Sequence, residues 1–370
     1  MNVHIADFAL ERYFARWEFA ARHVLCASDA ETLGMGELLA LADDDGRRRW
    51  DDLRLGYTES LGLPALREEI AGLYPGLSED DIIAFAGAEE GVFVCMHALL
   101  DAGSHAVVAW PAYQSLYDVG RAIGASVTLV PLDPRDWSLD VEAIAAAMQP
   151  NTRVIVVNSP HNPTGAQIEP AQFERLIAIA ELHGVYLFSD EVYRFMEHSA
   201  QRLPTAAEHS AKGVSLGVMS KAFGLAGLRI GWIATRDASL RARLARLKDY
   251  TTICSSAPSE VLALIALRAR SEILERTNAI VAENLEALDE FFARRCDLFE
   301  WVRPRAGPVG FPRLLGRDVD EFAATLVERE GVLILPASGF GYPGNHFRLG
   351  FGRRDMLAAL NRMERFATGG

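Results

Sequence analysis

The chain contains 370 residues, enough for two or three domains with large cores. Hydrophobic residues make up 50% and charged residues 24%, a balance that excludes a disordered tail, a collagen-like fibre and a small disulfide scaffold. The formal net charge of −13 would repel a phosphate backbone, so nucleic acid is not expected as a partner.

The cysteines and the N-terminal segment bear on the cellular compartment. No CxxC pair occurs, so neither a metal site nor a disulfide framework is expected from the four cysteines, Cys26, Cys95, Cys254 and Cys296. Charged residues interrupt the N-terminal segment, which argues against a signal peptide. No apolar run approaches the roughly 18 residues that a membrane span needs. We therefore expect a cytoplasmic protein without a membrane partner.

The segment before about residue 85 contains two predicted helices and a charged run. A long N-terminal helix is predicted from apolar residues spaced at i, i+4, i+7 and i+11, namely Leu10, Phe14, Trp17 and Ala21. The charged run at residues 43–49 is typical of a solvated turn. Residues 64–73 predict an amphipathic helix because Pro64 stands at its start.

From about residue 85, short apolar runs alternate with amphipathic segments. The predicted strands are residues 106–110, 126–131, 154–158, 185–189, 214–219 and 230–234. The predicted helices between them are residues 92–100, 115–123, 141–148 and 171–183. The strands are continuous apolar runs, which is typical of strands buried on both faces in a mostly parallel sheet. Functional groups in such sheets lie in loops after the strands.

The C-terminal third has a different pattern. Helix formers and charge pairs predict helices at residues 260–270 and 272–295, and a further helix at 319–330. Residues 332–336 and 346–351 are strand-like. This mixture predicts a smaller α+β domain.

Two loops carry small residues or prolines next to predicted elements. The loop from Phe85 to Gly91 precedes a helix, so its free N–H groups could bind a phosphate, although a plain tight turn is at least an equal alternative. The loop from Asn158 to Gly165 contains two prolines that restrain Asn162. Its alternative interpretation is a rigid turn.

Two further loops place charges beside buried strands. Asp190 ends an apolar strand, where it needs a cationic partner or caps the next helix. Lys221 and Arg229 flank a glycine-rich turn between two strands. An ordinary surface lysine is the alternative for Lys221, but its position between a buried strand and a glycine turn disfavours that alternative.

The four loops together resemble the fold type I, class I/II aminotransferase family, which binds pyridoxal 5′-phosphate (PLP). The stretches from Asn162 to Gly165 and from Ser220 to Gly231 are the most specific. The resemblance implies an α/β fold, with a mostly parallel central sheet sandwiched by helices in a large domain and a smaller α+β domain. The expected division is an N-terminal arm at 1–37 that joins the small domain, a large PLP-binding domain at 38–255, and a small domain at 256–370.

The resemblance also implies the residues that act on the cofactor ring. Lys221 would hold PLP as a Schiff base and then act as base and acid at the substrate Cα. Asp190 would pair with the pyridine nitrogen. Asn162 and Tyr193 would bind the 3′ oxygen, and Tyr113 would stack on the ring.

The phosphate and the substrate carboxylate have their own expected partners. The phosphate would bind at the helix start and the lysine loop, through Gly87, Ala88, Glu89, Ser220 and Arg229. Tyr57 would reach the phosphate of a neighbouring subunit in a homodimer, with a core tyrosine as the alternative. Arg348 and Asn162 would bind the substrate α-carboxylate, for which a guanidinium fork is suited.

The N-terminal region is similar to capreomycidine synthase-like enzymes, which share the fold but cyclise a hydroxylated arginine. Asp29 or Glu31 would then face a guanidinium group, and a solvated acidic loop is the alternative. The sequence thus predicts a PLP-dependent aminotransferase that uses an α-amino acid and a 2-oxo acid, with an eliminase or cyclase as the second hypothesis. A regulatory ligand sensor with a DNA-binding module is disfavoured, since the first predicted helix begins by about residue 8 and the net charge is −13.

Overall fold

A seven-stranded sheet lies at the centre of the computed structural model, which describes residues 5–199 and 201–369. Its strands, in spatial order, are β2 (Ile82–Phe85), β8 (Gly231–Ala234), β7 (Gly213–Val218), β6 (Tyr186–Asp190), β5 (Thr152–Asn158), β3 (His105–Trp110) and β4 (Ser126–Pro131). Strand β8 runs antiparallel to both of its neighbours, β2 and β7. The remaining pairings are parallel.

Helices cover both faces of this sheet because its strands are apolar on both sides. In β3, Ala106 and Val108 face one hydrophobic core, whereas Val107 and Ala109 face another. The helices of this part are α2 (Met35–Ala40), α3 (Asp44–Asp51), α4 (Pro64–Ala71), α5 (Ala88–Leu99), α6 (Ser115–Ile123), α7 (Val141–Ala146), α8 (Pro170–His183), α9 (Ala206–His209) and α10 (Ala238–Lys248). An α/β architecture with a mostly parallel sheet between helices is therefore confirmed.

The C-terminal third adds small sheets and longer helices. Its helices are α11 (Ala257–Arg268), α12 (Arg270–Arg294), α13 (Val319–Glu330) and α14 (Met356–Thr368). Its strands are β9 (Phe299–Glu300), β10 (Val309–Gly310), β11 (Arg313–Leu314), β12 (Val332–Leu333), β13 (Leu335–Pro336) and β14 (Phe347–Gly350). Strand β14 lies between β10 and β13, and β9 pairs with β11.

The N-terminal segment joins the C-terminal third through a strand pairing. It consists of α1 (Ala9–Trp17) and β1 (His23–Val24), and β1 pairs in parallel with β12. Residues 27–31 then run close to β14, where a Cβ on Gly350 would lie 1.8 Å from the carbonyl oxygen of Ala27. The domain boundaries at 37/38 and 255/256 stay predictions, and residues 1–4 of the arm lie outside the described residues.

Three details differ from the sequence-based expectations. The charged run was expected to be a turn but forms α3, because Asp43 caps its first turn and Asp45 pairs with Arg48 and Arg49. Strand β2 was not predicted, and α1 is shorter than the long helix expected. Within residues 5–199 and 201–369, no helix combines the length and the apolar character that crossing a bilayer requires.

Candidate active site

A cavity of about 380 Å³ lies at the carboxyl ends of the sheet strands and is closed on one side by the N-terminal segment. Its lining includes Tyr113, Asn162, Asp190, Tyr193, Ser220, Lys221, Arg229 and Arg348, together with Ala88 and Glu89. These residues were predicted from separate loops, and the fold brings them to one place. Parallel strands have this effect, since their carboxyl ends share one edge of the sheet.

Asp190 ends β6 and is 7% exposed. Its carboxylate accepts a hydrogen bond from the N–H of Val192 at 3.2 Å. Burial raises the pKa of Asp190 to about 7, against the lowering effect of that hydrogen bond and of the Lys221 charge. A cation facing Asp190 would therefore stabilise its ionised form.

The loop after β5 is fixed by side-chain hydrogen bonds. The N–H of Asn162 donates to Oδ1 of Asn158 at 2.6 Å. His161 lies behind Asn162, with Nε2 2.8 Å from the carbonyl oxygen of Pro111 and Nδ1 2.8 Å from the Thr164 hydroxyl. Burial lowers the pKa of His161 to about 4, so a neutral imidazole holds this loop in place at neutral pH.

Arg348 lies on β14 and is only 1% exposed. Its Nη1 donates to Oδ1 of Asn162 at 3.1 Å, and its Nε donates to the carbonyl oxygen of Cys26 at 3.1 Å. The guanidinium carbon lies 5.7 Å from the Phe14 ring and 5.6 Å from the Phe340 ring. A buried guanidinium held in this way has donors left for a carboxylate in the cavity.

Lys221 follows β7 and reaches the N-terminal arm. Its Nζ donates to the Ser28 hydroxyl at 2.9 Å and lies 5.6 Å from the centre of the Tyr193 ring. The hydroxyl of Tyr193 is buried without a hydrogen-bond partner among the described residues. An unpartnered buried hydroxyl in the wall of a cavity is costly unless a ligand binds it.

The start of α5 and the loop after Lys221 form a cradle. Gly87 has a φ of +86°, and a Cβ on it would lie 2.5 Å from an Nη atom of Arg229, so only glycine lets the guanidinium approach the helix start. Arg229 itself has a left-handed φ of +53°, which is uncommon for a residue with a side chain. The free N–H groups of Ala88 and Glu89 suit an anion at this helix end.

Glu89 and Glu90 follow Gly87, and their carboxylates turn in different directions. Glu90 accepts hydrogen bonds from the N–H of Ala86 and from the Thr252 hydroxyl, away from the cavity. Glu89 accepts a hydrogen bond from the Ser115 hydroxyl at 3.0 Å, and burial raises its pKa to about 7.

The predicted acidic residues of the arm have partners of their own. Both carboxylate oxygens of Asp29, which lines the cavity, lie 2.9 Å from the same nitrogen of Arg353. Glu31 is absent from the cavity lining, and its carboxylate accepts the N–H of Arg354 at 3.0 Å. Tyr57 also lies outside the lining and is 89% exposed.

Sequence reasoning did not single out Glu11, Glu18 or Ser28, which all line the cavity. Glu11 accepts a hydrogen bond from the Tyr113 hydroxyl at 2.9 Å. For Glu11 and Glu18 the available signal was their place on or just after the amphipathic N-terminal helix, but periodicity alone does not say what the polar face of a helix contacts. Ser28 lies beyond β1, where no periodic pattern marks it.

The residues of the cavity fit the cofactor that the resemblance implies. Asp190 can pair with a protonated ring nitrogen, and the unpartnered Tyr193 hydroxyl and Asn162 can bind a ring oxygen. The cradle at Gly87 supplies N–H groups and Arg229 for a phosphate, and Lys221 supplies an amine.

Comparison with known proteins gives three findings. The family model described as aminotransferase class I and II matches residues 40–362. The chain is 30% identical to capreomycidine synthase of Streptomyces vinaceus over 94% of this chain and 88% of that protein. It is also 30% identical to the arginine–pyruvate transaminase AruH of Pseudomonas aeruginosa, over 80% of this chain and 77% of that protein.

Solved structures agree with this result. A PLP-dependent aminotransferase from Streptococcus suis superposes with a TM-score of 0.92 at 29% identity, covering 100% of this chain and 98% of that one. The PLP-dependent cyclase OrfR superposes with a TM-score of 0.90 at 28% identity, covering 99% and 98%. The central sheet and its helices thus have the fold type I architecture.

Proposed function

The chain belongs to the class I and II aminotransferase family and is a PLP-dependent enzyme, and from that premise we propose that it transfers the amino group of an α-amino acid to a 2-oxo acid. One observation carries the proposal: Lys221, Asp190, Asn162, Arg229 and Arg348 converge on one cavity. When bound, PLP supplies an electron sink for the charge left at the substrate Cα after proton loss.

Each residue has a task that follows from its surroundings. Asp190 would keep the ring nitrogen protonated, and its burial would strengthen this ion pair because the local dielectric is low. Tyr193 and Asn162 would orient the ring through its 3′ oxygen. The Ala88 N–H, Ser220 and Arg229 would hold the phosphate at the start of α5.

The proton movement would fall to Lys221. Its amine would take the proton from the substrate Cα and return it at C4′ of the cofactor, since it lies in the same cavity as Asp190 and Tyr193. Arg348, together with Asn162, would fix the substrate through its α-carboxylate, which orients the Cα proton toward the amine. Ser28 would hold the amine in the cavity between these events.

The homodimer is part of the same proposal. Large hydrophobic side chains are exposed in two segments: Leu55 and Tyr57 at 86% and 89%, and Tyr250 at 87%. The segments are neighbours, because the Thr58 hydroxyl donates to the carbonyl oxygen of Ser255 at 3.4 Å. A surface of this kind suits a second copy of the chain, with Tyr57 reaching the phosphate of the partner's site.

A PLP-dependent eliminase or cyclase acting on a hydroxylated arginine-type substrate is the second candidate. The similarity to capreomycidine synthase over 94% of this chain favours it. The residues that would bind PLP are common to both candidates. The outcome depends on whether the substrate loses a β- or γ-substituent before C4′ receives the proton.

A single-turnover experiment separates the two. The purified holoenzyme is mixed with one amino acid at a time, without an oxo acid, and the cofactor spectrum and the products are recorded. Stoichiometric pyridoxamine phosphate and a 2-oxo acid support transamination. Ammonia, or a cyclised product from a hydroxyarginine with the cofactor unchanged, contradicts it and supports the second candidate.

A further inference from the structure

One face of α1, with the residue that follows it, forms the outer wall of the cavity. Leu10, Glu11, Phe14 and Glu18 all line it. Glu11 and Glu18 are seven residues apart, which is two helical turns or about 10 Å along the axis, with Phe14 between them. The wall therefore presents an apolar ring flanked by two carboxylates.

The cations of the cavity leave these two carboxylates without an ion pair. Arg353 is paired with Asp29, and Lys221, Arg229 and Arg348 would serve the cofactor and the substrate carboxylate under the proposed function. Among the described residues, neither Glu11 nor Glu18 forms a salt bridge. The one hydrogen bond to Glu11, from Tyr113, leaves most of its acceptor capacity unused.

Two observations that do not involve these carboxylates indicate that the same cavity binds a ligand. The Tyr193 hydroxyl is buried, unpartnered among the described residues and part of the same cavity wall. Arg348 is 1% exposed, and its guanidinium lies against Phe14, the residue between the two glutamates. A substrate whose α-carboxylate binds Arg348 would thus have its side chain near α1.

We propose that Glu11 and Glu18 bind the cationic end of the substrate side chain, so that the enzyme acts on amino acids with a guanidinium or ammonium group. This inference rests on the proposed function, because it uses Arg348 as the partner of the substrate α-carboxylate. The cofactor phosphate and the substrate α-carboxylate add negative charge to the cavity. A third anion near Glu11 and Glu18 is therefore unfavourable, and a cation there is favourable. Asp29 and Glu31, the two candidates from the sequence, already have partners within the chain.

A pair of matched ligands tests the charge directly on the holoenzyme. The compound 5-guanidinopentanoate is arginine without its α-amino group, and 5-ureidopentanoate is its neutral counterpart of nearly the same shape. Neither can react with the cofactor as an amino acid does. Calorimetry should find the guanidino acid bound about 10- to 100-fold more tightly, as expected for a charge-assisted hydrogen bond. Equal affinities for the two acids would overturn the proposal.

Variants locate the effect. In Glu11→Gln and Glu18→Gln, and most strongly in the double variant, the preference for the guanidino acid should fall toward unity. Glu283→Gln is the matched control, because Glu283 is an exposed carboxylate of α12 outside the cavity, and it should keep the full preference. A preference that survives in a folded double variant contradicts the assignment to these residues.

Arginine and citrulline, compared in the single-turnover experiment, keep the two proposals apart. If both react equally well and the two acids bind equally, the proposed function stands and the cationic preference is wrong. If no amino acid of the single-turnover series gives pyridoxamine phosphate but the guanidino acid binds more tightly, the proposed function fails while the assignment of Glu11 and Glu18 stands. A larger second-order rate constant for arginine than for citrulline, together with tighter binding of the guanidino acid, supports both proposals.

Discussion

The two walls of the cavity are built from different kinds of structure. The inner wall consists of residues at the ends of β5, β6 and β7 and at the start of α5, on a sheet buried on both faces. The outer wall consists of α1 and residues 27–29, which reach the cavity through contacts with distant parts of the chain. Tyr13, for example, donates to the carbonyl oxygen of Ile334 at 2.8 Å.

This difference separates the residues that carry out the reaction from those that determine substrate specificity. The inner wall carries the groups that any amino acid would need, and they sit on elements that cannot shift without breaking the central sheet. The outer wall carries the groups that face the variable part of a substrate. It can change by substitution on one helix without disturbing the sheet. We therefore expect variants of the inner wall to reduce the turnover of every substrate. Variants of the outer wall should change the preference among substrates or the rate of an individual step.

The largest expected effect is that of Lys221→Ala. Removal of the amine should lower turnover by up to about 10⁴-fold, the upper end of the usual contribution of a general acid–base group, and should abolish covalent attachment of the cofactor. Borohydride treatment followed by mass spectrometry measures the attachment. Lys212→Ala is the control, because Lys212 lies outside this cavity. A cofactor still attached in Lys221→Ala would show that another lysine serves the site.

Asp190→Asn should reduce turnover about 10²- to 10³-fold, since a lost electrostatic partner of a developing charge costs that much in other enzymes. The same change should stabilise the protein without cofactor at pH 8. Burial raises the pKa of Asp190 from 3.8 to about 7. The folded chain therefore keeps a proton that the unfolded chain releases, and stability falls as the pH rises through this window.

Above pH 7 the penalty for the ionised Asp190 is fully present, and Asn carries none. The free energy of unfolding of Asp190→Asn should then exceed that of the parent by up to about 4 kcal/mol at pH 8 and by little at pH 4. Urea denaturation at both pH values measures the difference. If Asp190→Asn is less stable than the parent at both pH 4 and pH 8, the ionised Asp190 carboxylate does not destabilise the folded protein.

Much of the inner wall could be predicted from the sequence. Asn162, Asp190 and Lys221 each stand in a short motif at the end of an apolar strand, and a parallel sheet necessarily gathers such ends at one edge. Strand β2 was missed because Ile82–Phe85 is only four residues long and its ladder partner, β8, is far away in sequence. Local patterns do not reveal such a pairing.

The outer wall could not be predicted in the same way. The spacing of Leu10, Phe14 and Trp17 indicates a helix, but the direction of its acidic face depends on contacts such as that between the Ala9 N–H and Gln114, 105 residues apart. Glu31 was selected because it is acidic and lies in the N-terminal stretch that is similar to capreomycidine synthase-like enzymes. Its carboxylate instead accepts a backbone N–H that follows β14, which no local pattern encodes.

Ser28→Ala tests the point where the two walls meet. Loss of the hydrogen bond to Lys221 should slow exchange of the substrate Cα proton with solvent about 3- to 10-fold, as expected for one hydrogen bond, with KM nearly unchanged. Deuterium incorporation followed by NMR measures the exchange. Thr32→Ala, in the exposed part of the same arm, should have no effect. A change in KM alone would place Ser28 with the substrate rather than with the amine.

An effect of similar size, confined to high pH, is expected at Glu89, which belongs to the inner wall by position but is electrostatically coupled to Glu11 of the outer wall. Burial raises the pKa of Glu89 to about 7, so its carboxylate gains charge as the pH rises from 6 to 8. That charge should repel a phosphate at the start of α5. Glu89→Gln should therefore bind pyridoxine 5′-phosphate about 3- to 10-fold more tightly than the parent at pH 8 and about equally at pH 6.

Pyridoxine 5′-phosphate has no aldehyde and cannot react with Lys221, so its dissociation constant reports only the cradle. Unphosphorylated pyridoxine is the matched control. For it, the ratio of the dissociation constants of the parent and of Glu89→Gln should be the same at pH 6 and pH 8. If Glu89→Gln gives the same ratio at pH 6 and pH 8, the Glu89 carboxylate does not reach the phosphate. The Glu89 carboxylate would then act on the substrate and not on the phosphate. The backbone N–H of Glu89 would belong to the inner wall and its side chain to the outer wall.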